Sequence, residues 1–268
     1  MITENAYAKI NLKLAITGKR QDGYHAVDML MQTVALHDKV TLLKTVDYGI
    51  WIESNFPELD NPSNLAYRAA KLLAERYNIR PQLKIVIEKN IFIAAGLAGG
   101  SSDAAAVLRG CNRLWDLRLS NHDLEKIGAE LGSDIPFLIE GGTARATGRG
   151  EILTPLHSAE TCWVVLAKPK NIDISTKWAY TEFDKVPKDK LADAPQNNLE
   201  LVVFEKYPVL QEMKINAIEK GAELAMMSGS GPTLFALCKN TDKAAVIAEA
   251  LKQYDTQVVV TKFMERTK

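Results

Sequence analysis

The chain has 268 residues, 33 Lys and Arg against 33 Asp and Glu, and a hydrophobic fraction of 47%. That length favours two domains over one, and the composition is that of a globular protein. The balanced charge gives no footing for a nucleic-acid or anionic-membrane partner, and no uncharged apolar run reaches the ~18 residues of a membrane span.

Residues 6–16 alternate. Ala8, Ile10, Leu12, Leu14 and Ile16 fall on one face and Lys9, Asn11 and Lys13 on the other, which predicts a half-buried strand with a solvent-facing polar edge. Asp22-Gly23 marks a turn. A second alternating stretch holds Val34, Leu36, Val40 and Leu42. Leu65, Ala69, Leu72 and Leu73 have helical spacing, with Asn64 ahead of them as an N-cap. Leu83, Ile85 and Ile87 predict a strand running into a glycine-rich stretch. Ala104, Val107, Leu108, Cys111, Leu114 and Trp115 predict a helix leaving it. Ser120 with Asp123 three residues on reads as a capping box, opening a helix that buries Leu124, Ile127 and Leu131 and stops at Gly132.

Near residue 155 the character changes. A strand is expected over 161–167. The polar, proline- and asparagine-rich segment 183–200 reads as irregular, and a helix follows over 209–220. A strand over 224–227, the turn SGSGP, a strand over 233–238, a helix over 242–253 and a strand over 257–263 complete the chain. Strand, helix, strand, strand, helix, strand is the ferredoxin-like order. The expected class is α+β, with one domain over 1–155 and a second over 156–268.

Cys111, Cys162 and Cys238 are far apart, odd in number and set among apolar neighbours, as buried free thiols of a cytoplasmic protein would be. His25, His37, His122 and His157 have no metal-ligand spacing, so no metal site built from protein side chains is expected. The opening residues MITENAYAK do not form a secretory signal.

The stretch from Ala94 to Asp103, AAGLAGGSSD, sits between a strand and a helix. A helix N-terminus offers unpaired N–H groups and the positive end of a dipole, and glycine lets the backbone approach an anion closely. Ser101 and Ser102 are placed to cap the helix, or to bind a phosphate oxygen or a magnesium ion. The pattern is neither G-x-x-x-x-G-K-[ST] nor G-x-G-x-x-G. Read locally, it is equally a phosphate site and a tight packing turn.

GLAGGSSDAA resembles the GLGGGSSDAA phosphate loop of the GHMP kinases (galactokinase, homoserine kinase, mevalonate kinase and relatives), with Ala98 in place of a glycine. AKINLKL at 8–14, DGYH at 22–25, GSDIPF at 132–137 and MSGSGPTLFA at 227–236 resemble further motifs of that family, in the same order. The resemblance implies an N-terminal ATP-binding domain, a C-terminal ferredoxin-like domain and an active site in the cleft between them. It implies phosphoryl transfer from ATP, with Mg2+, to a hydroxyl of a small-molecule substrate; DGYH points to a substrate that carries a cytidine diphosphate. No nucleic-acid or membrane partner is implied, and a monomer and a weak homodimer both remain open.

Carried over residue by residue, Asp134 matches the catalytic aspartate; read locally it is as well a cap on a helix opened by Pro136. Lys9 matches the catalytic lysine and Asn11 a substrate contact. Tyr24 would stack on the cytosine, His25 would meet its edge, and Tyr180 would cover its other face. The backbone of Ala94, Ala95, Gly96, Leu97, Ala98, Gly99, Gly100, Ser101, Ser102 and Asp103 would cradle ATP, and Asn64 either binds adenine or only caps its helix. The competing readings are a GHMP kinase for a mevalonate-like or homoserine-like alcohol, which has no use for DGYH, and a non-catalytic nucleic-acid-binding module.

Overall fold

The structure, a computed structural model, describes residues 1–157, 162–187, 191 and 194–266. Among the described residues ten strands form two sheets. The first is built on a long antiparallel hairpin, β1 (Ile2–Lys19) and β2 (His25–Lys44). The free edge of β2 is shared. β4 (Gln82–Glu88) pairs with its C-terminal part and β5 (Thr143–Thr147) with its N-terminal half, at Met29–Gln32. β3 (Gly49–Ser54) extends the sheet beyond β4, in parallel, and β6 (Ile152–Pro155) beyond β5. The helices α1 (Leu65–Arg76), α2 (Gly99–Leu114), α3 (Asn121–Ala129) and α4 (Ile135–Glu140) pack with it around a core that includes Leu42, Leu73, Leu83, Ile85 and Leu108.

The second sheet has the order β10 (Thr256–Lys262), β7 (Trp163–Pro169), β9 (Leu234–Cys238), β8 (Leu224–Met227), antiparallel throughout. Alternation along β7 explains its two-sided burial. Val165 and Ala167 join the core covered by α7 (Pro208–Glu219) and α8 (Thr241–Lys252). Val164 and Leu166, with Phe235 and Met226, meet Ala8, Ile10 and Val34 of the hairpin. β1 therefore runs between the two sheets. The end of the chain also returns to β2, where the Met264 N–H donates to the Thr33 carbonyl at 2.9 Å.

The ferredoxin-like order is observed, with two additions. α5 (Thr176–Phe183) and α6 (Glu200–Lys206) take in the two ends of the segment expected to be irregular from 183 to 200, of which residues 188–190, 192 and 193 lie outside the described residues. Ser175 caps α5 by accepting from the Trp178 N–H, a signal hidden by the surrounding polar residues. Thr161, expected to open a strand, lies outside the described residues. Cys111 and Cys238 are buried free thiols, whereas Cys162 is only partly buried. Among the described residues no helix is long and apolar enough to cross a membrane.

Candidate active site

A cleft of about 1150 Å3 opens between the sheets, lined by the glycine loop, β1, the tip of the hairpin, the start of α4, α5 and the SGSGP turn. Sites for one drug-sized ligand run to roughly 1,000 Å3, so this one has room for two reactants.

At one end is the loop. α1, α3, α5 and α8 are capped by the side chains of Asn64, Ser120, Ser175 and Asn240, but α2 begins at Ala98 with no side-chain cap. Its first N–H groups therefore stay available at the positive end of a 16-residue helix. Ala94 and Ala98 hold left-handed φ values of 51° and 58°, which costs an alanine about 1 kcal/mol each. The three glycines differ in purpose. A Cβ on Gly96 would stand 2.2 Å from the Ser228 carbonyl oxygen, so this glycine lets the loop dock on the SGSGP turn. Gly99 packs against Ile91 and Lys89, while the space around Gly100 is open.

The serines do not behave as caps. Ser102 is buried and donates its hydroxyl to the Tyr7 carbonyl at 2.5 Å, which fixes α2 to β1 and takes Ser102 away from any ligand. Ser101 lines the cleft. Asp103, also on the cleft, is buried with its Oδ2 accepting from Lys89 at 2.7 Å and its Oδ1 without a partner among the described residues. Burial drives its carboxyl up to about 7, against the opposing pull of the Lys89 ammonium. Lys89 also donates to Asp38, whose other oxygen accepts the Asn90 and Ile91 N–H groups, so the segment leading into the loop is held from beneath. Asn64 lines the cleft, but its side chain is engaged on both sides. Its oxygen accepts from Ala66 N–H at 2.9 Å and its nitrogen donates to the Leu59 carbonyl at 3.0 Å.

Lys9 and Asn11 stand at the centre of the cleft. They are 4% and 0% exposed, not the solvent-facing edge that the alternation suggested. Two causes act together. Register breaks between Tyr7 and Lys9 and between Asn11 and Lys13 re-aim the strand, as β-bulges do. The loop then covers it, with the Lys9 N–H donating to the Leu97 carbonyl. The Lys9 ammonium donates to Asn11 Oδ1 at 2.7 Å and lies 3.9 Å from Asp134 Oδ2. Lys13, past the second bulge, is a surface residue paired with Asp28. Asp134 precedes α4 but its side chain makes no capping bond, so it is aimed at Lys9 and the cleft.

At the far end Tyr24 is 55% exposed, with the Arg149 guanidinium 4.9 Å from its ring centre. His25 and Tyr180 meet directly. Their rings are in contact, 4.9 Å apart and tilted by 30°. Burial, and then the Asp134 charge, pushes the Tyr180 hydroxyl well above the usual tyrosine range. His25 Nε2 lies 2.6 Å from Asp184 Oδ1. No local pattern points to Asp184 or Lys89, because partners of theirs lie 159 and 51 positions away. The SGSGP turn was visible as a motif. Its cleft-lining residues Gly229, Ser230 and Gly231 are steadied by Asn197, which donates to the Met227 and Gly229 carbonyls.

The family model of the GHMP kinases N terminal domain matches residues 64–142, and that of the GHMP kinases C terminal domain residues 183–256. The 4-diphosphocytidyl-2-C-methyl-D-erythritol kinase of Macrococcus caseolyticus is 44% identical over 98% of this chain and 100% of its own. That of Bacillus licheniformis is 42% identical over 98% and 97%. A crystal structure of 4-(cytidine 5'-diphospho)-2C-methyl-D-erythritol kinase superposes with a TM-score of 0.82 at 31% identity, covering 98% of this chain and 99% of that one. A crystal structure of L. major mevalonate kinase in complex with R-mevalonate shares the fold, with a TM-score of 0.76 at 14% identity over 99% of this chain and 96% of that one.

Proposed function

The chain belongs to the GHMP kinases, among the 4-diphosphocytidyl-2-C-methyl-D-erythritol kinases, and from that premise we propose how its cleft works. The enzyme transfers the γ-phosphoryl group of ATP to the 2-hydroxyl of 4-diphosphocytidyl-2-C-methyl-D-erythritol, giving the 2-phosphate and ADP, a step of non-mevalonate isoprenoid precursor synthesis. The observation that carries this reading is that the uncapped α2 N-terminus and the Lys9–Asn11–Asp134 group open on one cleft with DGYH at its other end.

Phosphoryl transfer asks the protein for alignment and charge neutralisation more than for covalent chemistry. The loop backbone holds the triphosphate, and the Lys9 ammonium offsets charge on the transferring group. The substrate hydroxyl oxygen bonds to the γ-phosphorus as the bond to the β-phosphate oxygen breaks, and its proton passes to Asp134. An aspartate, with an ordinary pKa of about 3.9, does not ionise the alcohol beforehand. It orients the oxygen and takes the proton late. Lys9, fixed by Asn11, keeps Asp134 directed at the hydroxyl.

Mg2+ binds through few protein ligands and the substrate phosphates, and the residues here fit that habit. Ser101 and the unpartnered Oδ1 of Asp103 would hold it, not Ser102. Bound there, it supplies neutralisation of the phosphate oxygens. Among the described residues no cluster of three or more His, Cys, Asp or Glu competes for this role.

Tyr24 carries the cytosine face and His25 its edge. Tyr180 supports His25 as well as the base. Asn64 shapes the nucleotide end through its helix. We take the enzyme to be cytoplasmic, divided near residue 155, a monomer or weak homodimer, and independent of nucleic acid and membrane. The test is initial-rate ADP release with a panel of acceptors. The cytidyl substrate should far outrun methylerythritol phosphate, with no turnover of mevalonate or homoserine. Equal rates with and without the cytidyl group would refute the assignment.

A further inference from the structure

Asp184 follows α5 and reaches across to the hairpin. Its Oδ2 accepts from Lys19 at 2.6 Å and its Oδ1 lies 2.6 Å from His25 Nε2. The Lys19 bond, and after it the His25 bond, holds the Asp184 carboxyl below the usual range. An ionised carboxylate only accepts hydrogen bonds, so His25 Nε2 must carry the proton of this contact. In the neutral ring, Nδ1 is then an acceptor, and it has no partner among the described residues. The Tyr180 ring packs on the imidazole, whose side chain is 9% exposed, so its plane is held as well. Carboxylate partners fix histidine tautomers in this way at other functional sites.

We propose that Asp184 is a positioning residue that selects the substrate base by holding His25 with Nδ1 as an acceptor. This rests on the functional reading above and deepens it. A pyrimidine with an amino group at position 4 donates to such a nitrogen. One with a carbonyl there sets acceptor against acceptor, as uracil would. Selection between the two bases thus comes from the end of α5, an element 159 positions along the chain from the His25 that it holds.

The test compares the cytidine diphosphate substrate with its uridine counterpart by coupled ADP release, in wild type, Asp184→Asn, His25→Ala and the double variant. An amide presents either its oxygen or its NH2 to Nε2, so it no longer enforces one tautomer. We expect the cytidyl-to-uridyl ratio of kcat/KM to fall by roughly 5- to 150-fold in Asp184→Asn, the worth of one buried hydrogen-bond mismatch. The loss should lie in the KM of the cytidyl substrate, with kcat held within about twofold and the KM for ATP unmoved. In the His25→Ala background the Asp184 change should add nothing to the ratio. A wild type that prefers cytidyl with the ratio intact in Asp184→Asn overturns the role of Asp184 alone, and so does an equal loss with and without the imidazole. A wild type that uses neither acceptor overturns the functional reading and this inference together.

Discussion

The loop glycines separate packing from phosphate binding, and Gly96→Ala shows how. The added methyl would sit 2.2 Å from the Ser228 carbonyl oxygen and 3.1 Å from both the nitrogen and the oxygen of Gly231, on a residue with φ of +74°. A carbon and a carbonyl oxygen approach no closer than about 3.3 Å, so the overlap is roughly 1 Å and the obstacle is backbone. Left-handed strain adds about 1 kcal/mol, and forcing two packed segments apart about 1–3 kcal/mol. The sum, about 2–4 kcal/mol, should lower the thermal midpoint by roughly 4–16 °C at about 2–4 °C per kcal/mol. At Gly100 the nearest atom to a new Cβ is Leu65 Cδ1 at 3.8 Å. Gly100→Ala should therefore keep or slightly raise the midpoint, by up to about 1 kcal/mol of stability, yet weaken a non-hydrolysable ATP analogue by intruding on the phosphates. Scanning calorimetry reads the first quantity and isothermal titration the second. Wild-type melting of Gly96→Ala, or wild-type affinity of Gly100→Ala, would refute the division of labour.

Asp134→Asn should reduce kcat by roughly 10²–10⁴-fold with ATP affinity little changed, as single-turnover kinetics and titration would show. Lys9→Ala should cost on the order of 10²–10³-fold, and near-full turnover in either variant would remove it from the mechanism. Tyr24→Ala should lower kcat/KM for the cytidyl substrate by about 5- to 150-fold, mostly through KM, the worth of one stacked base; an unchanged KM would place the base elsewhere. Ala98→Gly relieves a φ of 58° and should gain up to about 1 kcal/mol in denaturant unfolding, whereas a loss would mean that the alanine methyl packs.

Contiguous chemistry was the legible part of this chain. The glycine loop, GSDIPF and the Ser120 capping box each state their geometry within a few residues, and the C-terminal elements could be placed in order from their apolar runs and the turns between them. Burial of Lys9 was not legible, because the residues that cover it come from position 97 and beyond, and no local pattern announces a bulge. Asn64 shows the opposite case. Its role as a cap was plain from its place before an apolar helix, and the structure leaves its side chain little freedom for adenine. The helix α5 was masked by the polar composition around it, and with it went Asp184. Gly96 was read as part of a phosphate cradle; that it also lets the loop dock on a carbonyl 132 positions away could not be read from the residues around it.

The path of β1 between the sheets bears on how the chain is made. Ala8 and Ile10 are synthesised well before the surfaces that cover them, Val164, Leu166 and Phe235. Until then the nascent hairpin presents apolar side chains on either side of Lys9. A polypeptide halted near residue 155 would hold the nucleotide loop and Asp134 but leave that strand uncovered, a target for chaperones and proteases. The strand that carries Lys9 is thus covered only once β7 and β9 have both been made.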